Sequence, residues 1–322
     1  MQADITAASL RAAVLALPDL AAWPEVSNLF PPGAEGVRTD WRLPVLACRA
    51  AGGDGSQSLY ACAAIACLQI SIILVDDILD EDPRGAYHEL GYGRAANLGL
   101  ALQAAGLALI DRAPVAAGCR AQAAAALARA ALATARGQDL DVQNLLGEEN
   151  YWQVVRAKST PFYGVALELG GLLAGAEPAQ AHGLYSVGAL LGEIIQVWDD
   201  LLDAFATPAN PDWCAGRNNL AILYALTAPH PGRARLSELV GQVEGTAGLE
   251  EAQQILITSG AVSYCVYLLL QRHHSAQSLL AGLGLPHPEC LAEMLADQLA
   301  PLRQWLGELG LALPPELAEP GR

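Results

Sequence analysis

Hydrophobic residues along this chain recur at the three- and four-residue intervals of helices, in long Ala- and Leu-rich stretches, and seldom in the alternation that marks strands. Runs rich in Val, Ile and Thr are scarce. The pattern predicts a nearly all-α chain. Short breaks divide the helices at Phe30-Pro31-Pro32-Gly33, Ala51-Gly52-Gly53-Asp54-Gly55, Asp82-Pro83-Arg84-Gly85, Gly147-Glu148-Glu149-Asn150, Thr207-Pro208-Ala209-Asn210-Pro211 and Pro229-His230-Pro231-Gly232. None is long enough to serve as a linker, so a single domain over residues 1–322 is expected, with loose ends at 1–5 and 314–322. The stretch 206–219, which carries Pro208, Pro211, Trp213 and Gly216, is a candidate lid.

Composition adds exclusions to this picture. A mean hydropathy of +0.27 raises the question of a membrane protein. The most apolar run, residues 61–75, contains Gln69 and Ser71 and falls short of the roughly 20 residues of a spanning helix, so buried core helices are expected instead. Met1-Gln2-Ala3-Asp4 opens without a basic leader and cleavage site, which predicts a cytoplasmic protein. Seven cysteines, an odd number with no CxxC pair, predict small buried thiols rather than disulfides or a zinc site. The six histidines form no ligand or triad spacing and are assigned no chemistry. The net charge of −16 lacks the basic footprint that nucleic acid or an anionic membrane surface requires. An anionic substrate would therefore have to be held by metal ions and local Lys or Arg.

Chemistry enters with two copies of one acidic pattern, Asp76-Asp77-Ile78-Leu79-Asp80 and Asp199-Asp200-Leu201-Leu202-Asp203, each closing a long apolar stretch. Residues four apart share a helix face, so Asp76 with Asp80, and Asp199 with Asp203, each present two carboxylates side by side. Near helix C-termini the dipole makes such pairs less favourable still, and something positive should offset them. Mg²⁺ accepts hard oxygen ligands, commonly one or two carboxylates plus phosphate oxygens of a substrate. Two facing pairs thus point to Mg²⁺ ions clamping a diphosphate.

The text between and around the motifs resembles the trans-isoprenyl diphosphate synthases, which share an all-α helical-bundle fold of the isoprenoid (terpenoid) synthase type, built around a deep central cavity. The resemblance runs from about Gly36 to about Leu285. It is carried by Gly137-Gln138-Asp139-Leu140-Asp141, similar to GQxxD, by Lys158-Ser159 where the family has Lys-Thr, and by Gly188-Ala189-Leu190-Leu191-Gly192 leading into Gln196-Val197-Trp198-Asp199-Asp200. Ser259-Gly260-Ala261 resembles the family's late SGA helix start. The resemblance implies that Asp76, Asp77, Asp80, Asp199, Asp200 and Asp203 ligate three Mg²⁺ ions on the diphosphate of an allylic prenyl substrate. Asp76, Asp80, Asp199 and Lys158 would be the catalytic groups, and Lys158, Arg84, Gln196 and Arg217 would contact the diphosphate or its metals. It also implies a homodimer. Metal and cationic side chains would stabilise the departing diphosphate and leave an allylic carbocation in a dry apolar cavity, with Phe162, Tyr163 and Trp198 as candidate π donors.

Chain elongation in this family also needs a pocket for isopentenyl diphosphate, formed by a GGKxxR motif, a His or Gln upstream of the first acidic motif, and an Arg-Arg pair after it. Counted back from Gly52-Gly53, the Lys position holds Val37 and the Arg position Asp40; between them Arg38 keeps its charge, and a shifted register would enlist Arg42. Gln69 fits the upstream position. Pro83-Arg84-Gly85 supplies one guanidinium where two are usual, and Gly216-Arg217-Asn218-Asn219 stands for Gly-Lys-x-Thr. The expectation from these departures is a terpene synthase that ionises an allylic diphosphate and quenches or cyclises the cation. Its alternatives are a prenyl diphosphate synthase of geranylgeranyl type, transfer to another acceptor, and a silent partner subunit. Ser71 and Ile72, where short-chain synthases carry aromatic stoppers, imply a deeper tunnel for chains of about C15 to C25.

Overall fold

The computed structural model describes residues 5–31, 38–215, 218–243, 246–311 and 314. Among them every regular element is helical. The chain opens with α1 (Ala7–Leu15), α2 (Pro18–Ala21), α3 (Pro24–Leu29) and α4 (Leu43–Ala50), then α5 (Leu59–Leu79), α6 (Tyr87–Leu90), α7 (Tyr92–Asp111) and α8 (Ala117–Val142). It continues with α9 (Glu148–Lys158), α10 (Thr160–Ala174), α11 (Pro178–Phe205), α12 (Asp212–Ala215) and α13 (Leu220–Thr227). It closes with α14 (Arg233–Leu239), α15 (Thr246–Thr258), α16 (Ala261–Gly282), α17 (Glu289–Asp297) and α18 (Leu299–Glu308).

Local chemistry sets the ends of the helices that matter for the site. α11 begins at a reciprocal cap between Glu177 and Gln180, with Pro178 in its first turn. α13 is capped by the Asn219 side chain, which accepts from the amides of Ala221 and Ile222. α10 ends where Gly175 turns left-handed at φ 78°.

α5 is apolar nearly all round because it runs through the interior, walled by α4, α7 and α10. Here the structure corrects the sequence expectation. The helix outlasts its apolar run and reaches Leu79, and Ser56–Leu79 (mean hydropathy 2.2) and Tyr92–Asp111 (1.2) are both long and apolar enough to cross a membrane by length and composition. In the first of these 72% of the window is buried against protein, which accounts for its hydropathy.

Buried apolar side chains form two clusters, one gathered from α1, α4, α5, α7, α8 and α10, the other from α9, α13, α15, α16 and α18. α11 passes through both, residues 181–191 in the first and 194–204 in the second. Glycines permit the closest approaches. A Cβ on Gly188 would overlap the Tyr163 carbonyl, and one on Gly192 would lie 2.9 Å from Thr160 Cα, so the Gly-x-x-x-Gly face of α11 lets α10 lie directly against its backbone. The described cysteines are free thiols, with Cys48, Cys62, Cys67 and Cys265 buried.

Candidate active site

The first acidic motif occupies the last turn of α5, with Asp80 as its C-cap, and the second the last two turns of α11. At 100° per residue, Asp76 and Asp80 point one way while Asp77 is turned toward the loop that follows. That loop presses close, since a Cβ on Gly85 would lie 2.9 Å from Asp77 Cβ. Burial, and then the charges of Asp82 and Asp76, raise the Asp77 carboxyl above its usual range.

A cation already stands at the first motif. Lys158 Nζ lies 2.7 Å from Asp76 Oδ1 and 2.6 Å from Asp141 Oδ2, joining the ends of α5, α8 and α9. Burial works against the ammonium, but Asp76 and then Asp141 more than offset it and hold its pKa above the usual lysine range. Gly137 makes the junction feasible, because a Cβ there would overlap the backbone of Lys158. Gln138 of the same stretch donates to the Ile72 carbonyl at 3.1 Å, fastening α8 to α5.

At the second motif, burial, followed by the charges of Asp203 and Asp40, pushes the Asp199 carboxyl up to about 6. Asp203 is raised by burial and by Asp212, with Arg84 opposing. Arg84 is largely exposed and forks onto Asp82, with Nη2 at 2.8 Å from Oδ2 and Nε at 3.1 Å from Oδ1. Its field reaches Asp77 of one motif and Asp203 of the other, so the two motifs share one electrostatic neighbourhood.

Several expected ligands are engaged elsewhere. Asp200 is buried: Oδ1 accepts from Gln196 Nε2 at 3.0 Å, Oδ2 from the Leu220 amide at 2.8 Å, and its carbonyl from Asn219 at 2.7 Å. It is one residue, hence 100°, off the Asp199–Asp203 face, and it ties α11 to α13. Burial pushes it up to about 7 although those donors favour the charged form. The Tyr151 hydroxyl is buried on the same side and makes no hydrogen bond of good geometry. Gln196 is likewise used internally, accepting from Ser159 Oγ at 2.7 Å. Ser71 is fully buried and its hydroxyl is satisfied by Leu68 O at 2.7 Å, so it lines no open tunnel. Ile72 is half-buried beside the core.

The segment expected to be a lid is anchored where it is described: Trp213 is fully buried and donates to Ala204 O at 3.1 Å. Gly216, Arg217 and Val37 lie outside the described residues. On the opposite wall, Gln69 Nε2 donates to Asp40 Oδ2 at 2.8 Å and Trp41 Nε1 donates to Gln69 Oε1 at 2.6 Å. Arg38 is exposed and its field reaches Tyr163. Phe162 and Tyr163 pack edge to face at 5.0 Å, and Trp198 against Trp305 at 5.6 Å.

Among the described residues no group of three or more Asp, Glu, His or Cys side chains converges on one point as a ready metal cage. The protein offers pairs of carboxylates, which a phosphate-bound cation would complete. Two hollows, about 700 Å³ between α15, α16 and α18 and about 410 Å³ between α7 and α8, have no lining residue from either motif. The charged neighbourhood, and not the larger hollow, is therefore the candidate site.

Three residues that matter here carried no assigned role in the sequence reading. Asp141 was visible only as the last letter of a motif, Trp41 had no signal, and Asn219 could have been found as a helix cap ahead of an apolar run.

The chain is similar to known proteins both in sequence and in fold. Residues 33–256 match the sequence model of a family described as Polyprenyl synthetase. The chain is 27% identical over 245 residues to the octaprenyl diphosphate synthase of Escherichia coli (strain K12), covering 71% of this chain and 74% of that protein. It is 26% identical over 249 residues to the geranylgeranyl pyrophosphate synthase of Geoglobus acetivorans, covering 72% and 76%. The solved structure of a polyprenyl synthase from Caulobacter crescentus CB15, complexed with calcium and isoprenyl diphosphate, superposes with a TM-score of 0.73 at 23% identity, covering 91% of this chain and 97% of that one. The fold is thus the all-α fold of those synthases.

Proposed function

Because the chain belongs to the polyprenyl synthetase family, we propose that it is a prenyl diphosphate synthase, joining an allylic prenyl diphosphate to isopentenyl diphosphate with the help of a divalent cation. In that reaction the allylic C–O bond breaks, diphosphate departs, the allylic carbon bonds to the alkene carbon of isopentenyl diphosphate, and a proton is lost. The observation that carries the reading is that Arg84 is felt by both carboxylate motifs, with Lys158 seated at the first, in a chain whose relatives are named as synthases.

A cation fits the donor set: Asp199 and Asp203 are desolvated carboxylates, the first raised further by Asp203 and the second by Asp212, an arrangement that a bound Mg²⁺ would relieve. Asp76, Asp80, Asp199 and Asp203 would hold it, and when bound it would neutralise charge on the leaving diphosphate. Lys158, once released from Asp76 by the competing cation, would be a charged donor to the same diphosphate while Asp141 keeps it in place. Asp200 and Gln196 serve as positioning residues that fix α11 against α13 and α9.

Cyclisation or quenching, the first expectation from sequence, yields to elongation because the relatives found are named as synthases. One observation still favours consumption of the allylic diphosphate alone: the Asp40 carboxylate stands at Gln69. Leu100 and Leu132, 67% and 75% exposed beside the groove between α7 and α8, support a homodimer joined through that face.

Purified protein with Mg²⁺ and C10, C15 or C20 allylic diphosphates, each with and without isopentenyl diphosphate, tests the reading by mass spectrometry of the products. A longer diphosphate that requires both substrates is expected. A hydrocarbon or alcohol from the allylic substrate alone, with no elongation, would overturn it.

A further inference from the structure

Gln69 sits seven residues before Asp76 on α5, two turns away on the same face, so its side chain belongs to the wall that leads to the first motif. Its amide has a defined orientation. Trp41 Nε1 donates to Oε1, which leaves Nε2 as the outward donor, and that donor is taken by Asp40 Oδ2 at 2.8 Å. Asp40 is half-buried, its Oδ2 is held on Gln69, and its charge is felt at Asp199 and at Tyr163, so the carboxylate lies within electrostatic reach of the second motif.

Resting on the reading that a second diphosphate enters this site, we propose that Asp40 is a built-in competitor for it: an internal anion that occupies the Gln69 donor which an incoming phosphate oxygen would otherwise take. A phosphate reaching Gln69 must displace Asp40 and then remain beside a like charge. Asp40 is thereby a specificity-determining residue that weakens the second substrate by direct competition, and it reaches the acidic motifs only through its field at Asp199. Removing its charge lifts the like-charge repulsion and leaves a weaker, neutral acceptor on a donor already oriented by Trp41.

The test is equilibrium binding of isopentenyl diphosphate to the full chain in Mg²⁺, with the first site filled by an unreactive thiolo analogue of the allylic diphosphate. Wild type is compared with Asp40→Asn, with Asp40→Ser in case the first variant folds poorly, and with Asp40→Asn combined with Gln69→Ala. The single variants are expected to bind about tenfold tighter at low salt. The gain should shrink as salt is raised and vanish in the double variant. Equal or weaker binding in both folded single variants, or no binding by any of the proteins, overturns the proposal. Because the readout is affinity, it separates from turnover. Tighter binding by the variants of a protein that consumes only the allylic substrate would uphold Asp40 and refute elongation, while an elongating enzyme with unchanged affinity would do the reverse.

Discussion

The roles of individual carboxylates here follow from which face of a helix they occupy. Asp199 and Asp200 are adjacent in sequence, yet the first is gathered with Asp203 and Asp40 while the second is spent on Gln196 and the Leu220 amide. The sequence shows the motif but not this division, because the partner on α13 is distant along the chain. Replacing Asp76 or Asp199 by Ala should slow turnover by roughly 10²-fold, the scale of losing one strong electrostatic contact to a leaving group; the melting temperature should hold in Asp199→Ala and drop in Asp76→Ala, which strips Lys158 of one of its two carboxylates. Steady-state kinetics alongside thermal melts check this, and unchanged turnover in either variant would remove the assigned role. The raised carboxyls also set a pH dependence. Asp199 moves from its ordinary 3.8 to about 6 and Asp200 to about 7, so the folded metal-free protein holds these protons more tightly than the unfolded chain does. Their contribution to stability is fully present below the ordinary value and is lost as pH rises through about 6 to 7. Metal-free melts across pH 5 to 8 should show less loss in Asp199→Asn than in wild type. Half-saturating Mg²⁺ should fall as pH rises through about 6, because cation and proton compete for the same oxygens.

At the scale of elements, helix class and the location of both motifs were legible because a 3.6-residue period and carboxylates four apart are local signals. What lay beyond reach was how helices approach one another. Gly137 on α8 reads as a motif letter, but its structural meaning is that no side chain fits between α8 and the backbone at Lys158. Gly137→Ala must push α9 away, so a loss of about 1–3 kcal/mol in stability is expected, as for other overpacked sites. Turnover should drop with it, since Lys158 would leave its place between Asp76 and Asp141. Chemical denaturation with parallel assays measures both; a stable variant with normal turnover would show that the junction tolerates a shift. The reach of α5 was likewise hidden by its apolar run, which stops at Val75 while the helix carries the aspartates on to Leu79.

For the whole molecule, the resemblance gave the family and the fold, whereas the tunnel inferred from Ser71 was not legible, because burial of one small residue is decided by neighbours on α7. The exposed leucines on α7 and α8 predict that Leu100→Glu with Leu132→Glu turns a dimer into a monomer in light scattering coupled to gel filtration; an unchanged mass would place the interface elsewhere. The central claim is that both aspartate motifs act on one diphosphate through shared divalent cations. A crystal structure with Mn²⁺ and inorganic pyrophosphate, phased to show anomalous scattering, tests it most directly. The account predicts Mn²⁺ peaks ligated by Asp76 and Asp80 on one side and by Asp199 and Asp203 on the other, about 2 Å from their oxygens and joined through the same pyrophosphate. Metal at one motif only, or pyrophosphate bound away from both, would contradict it.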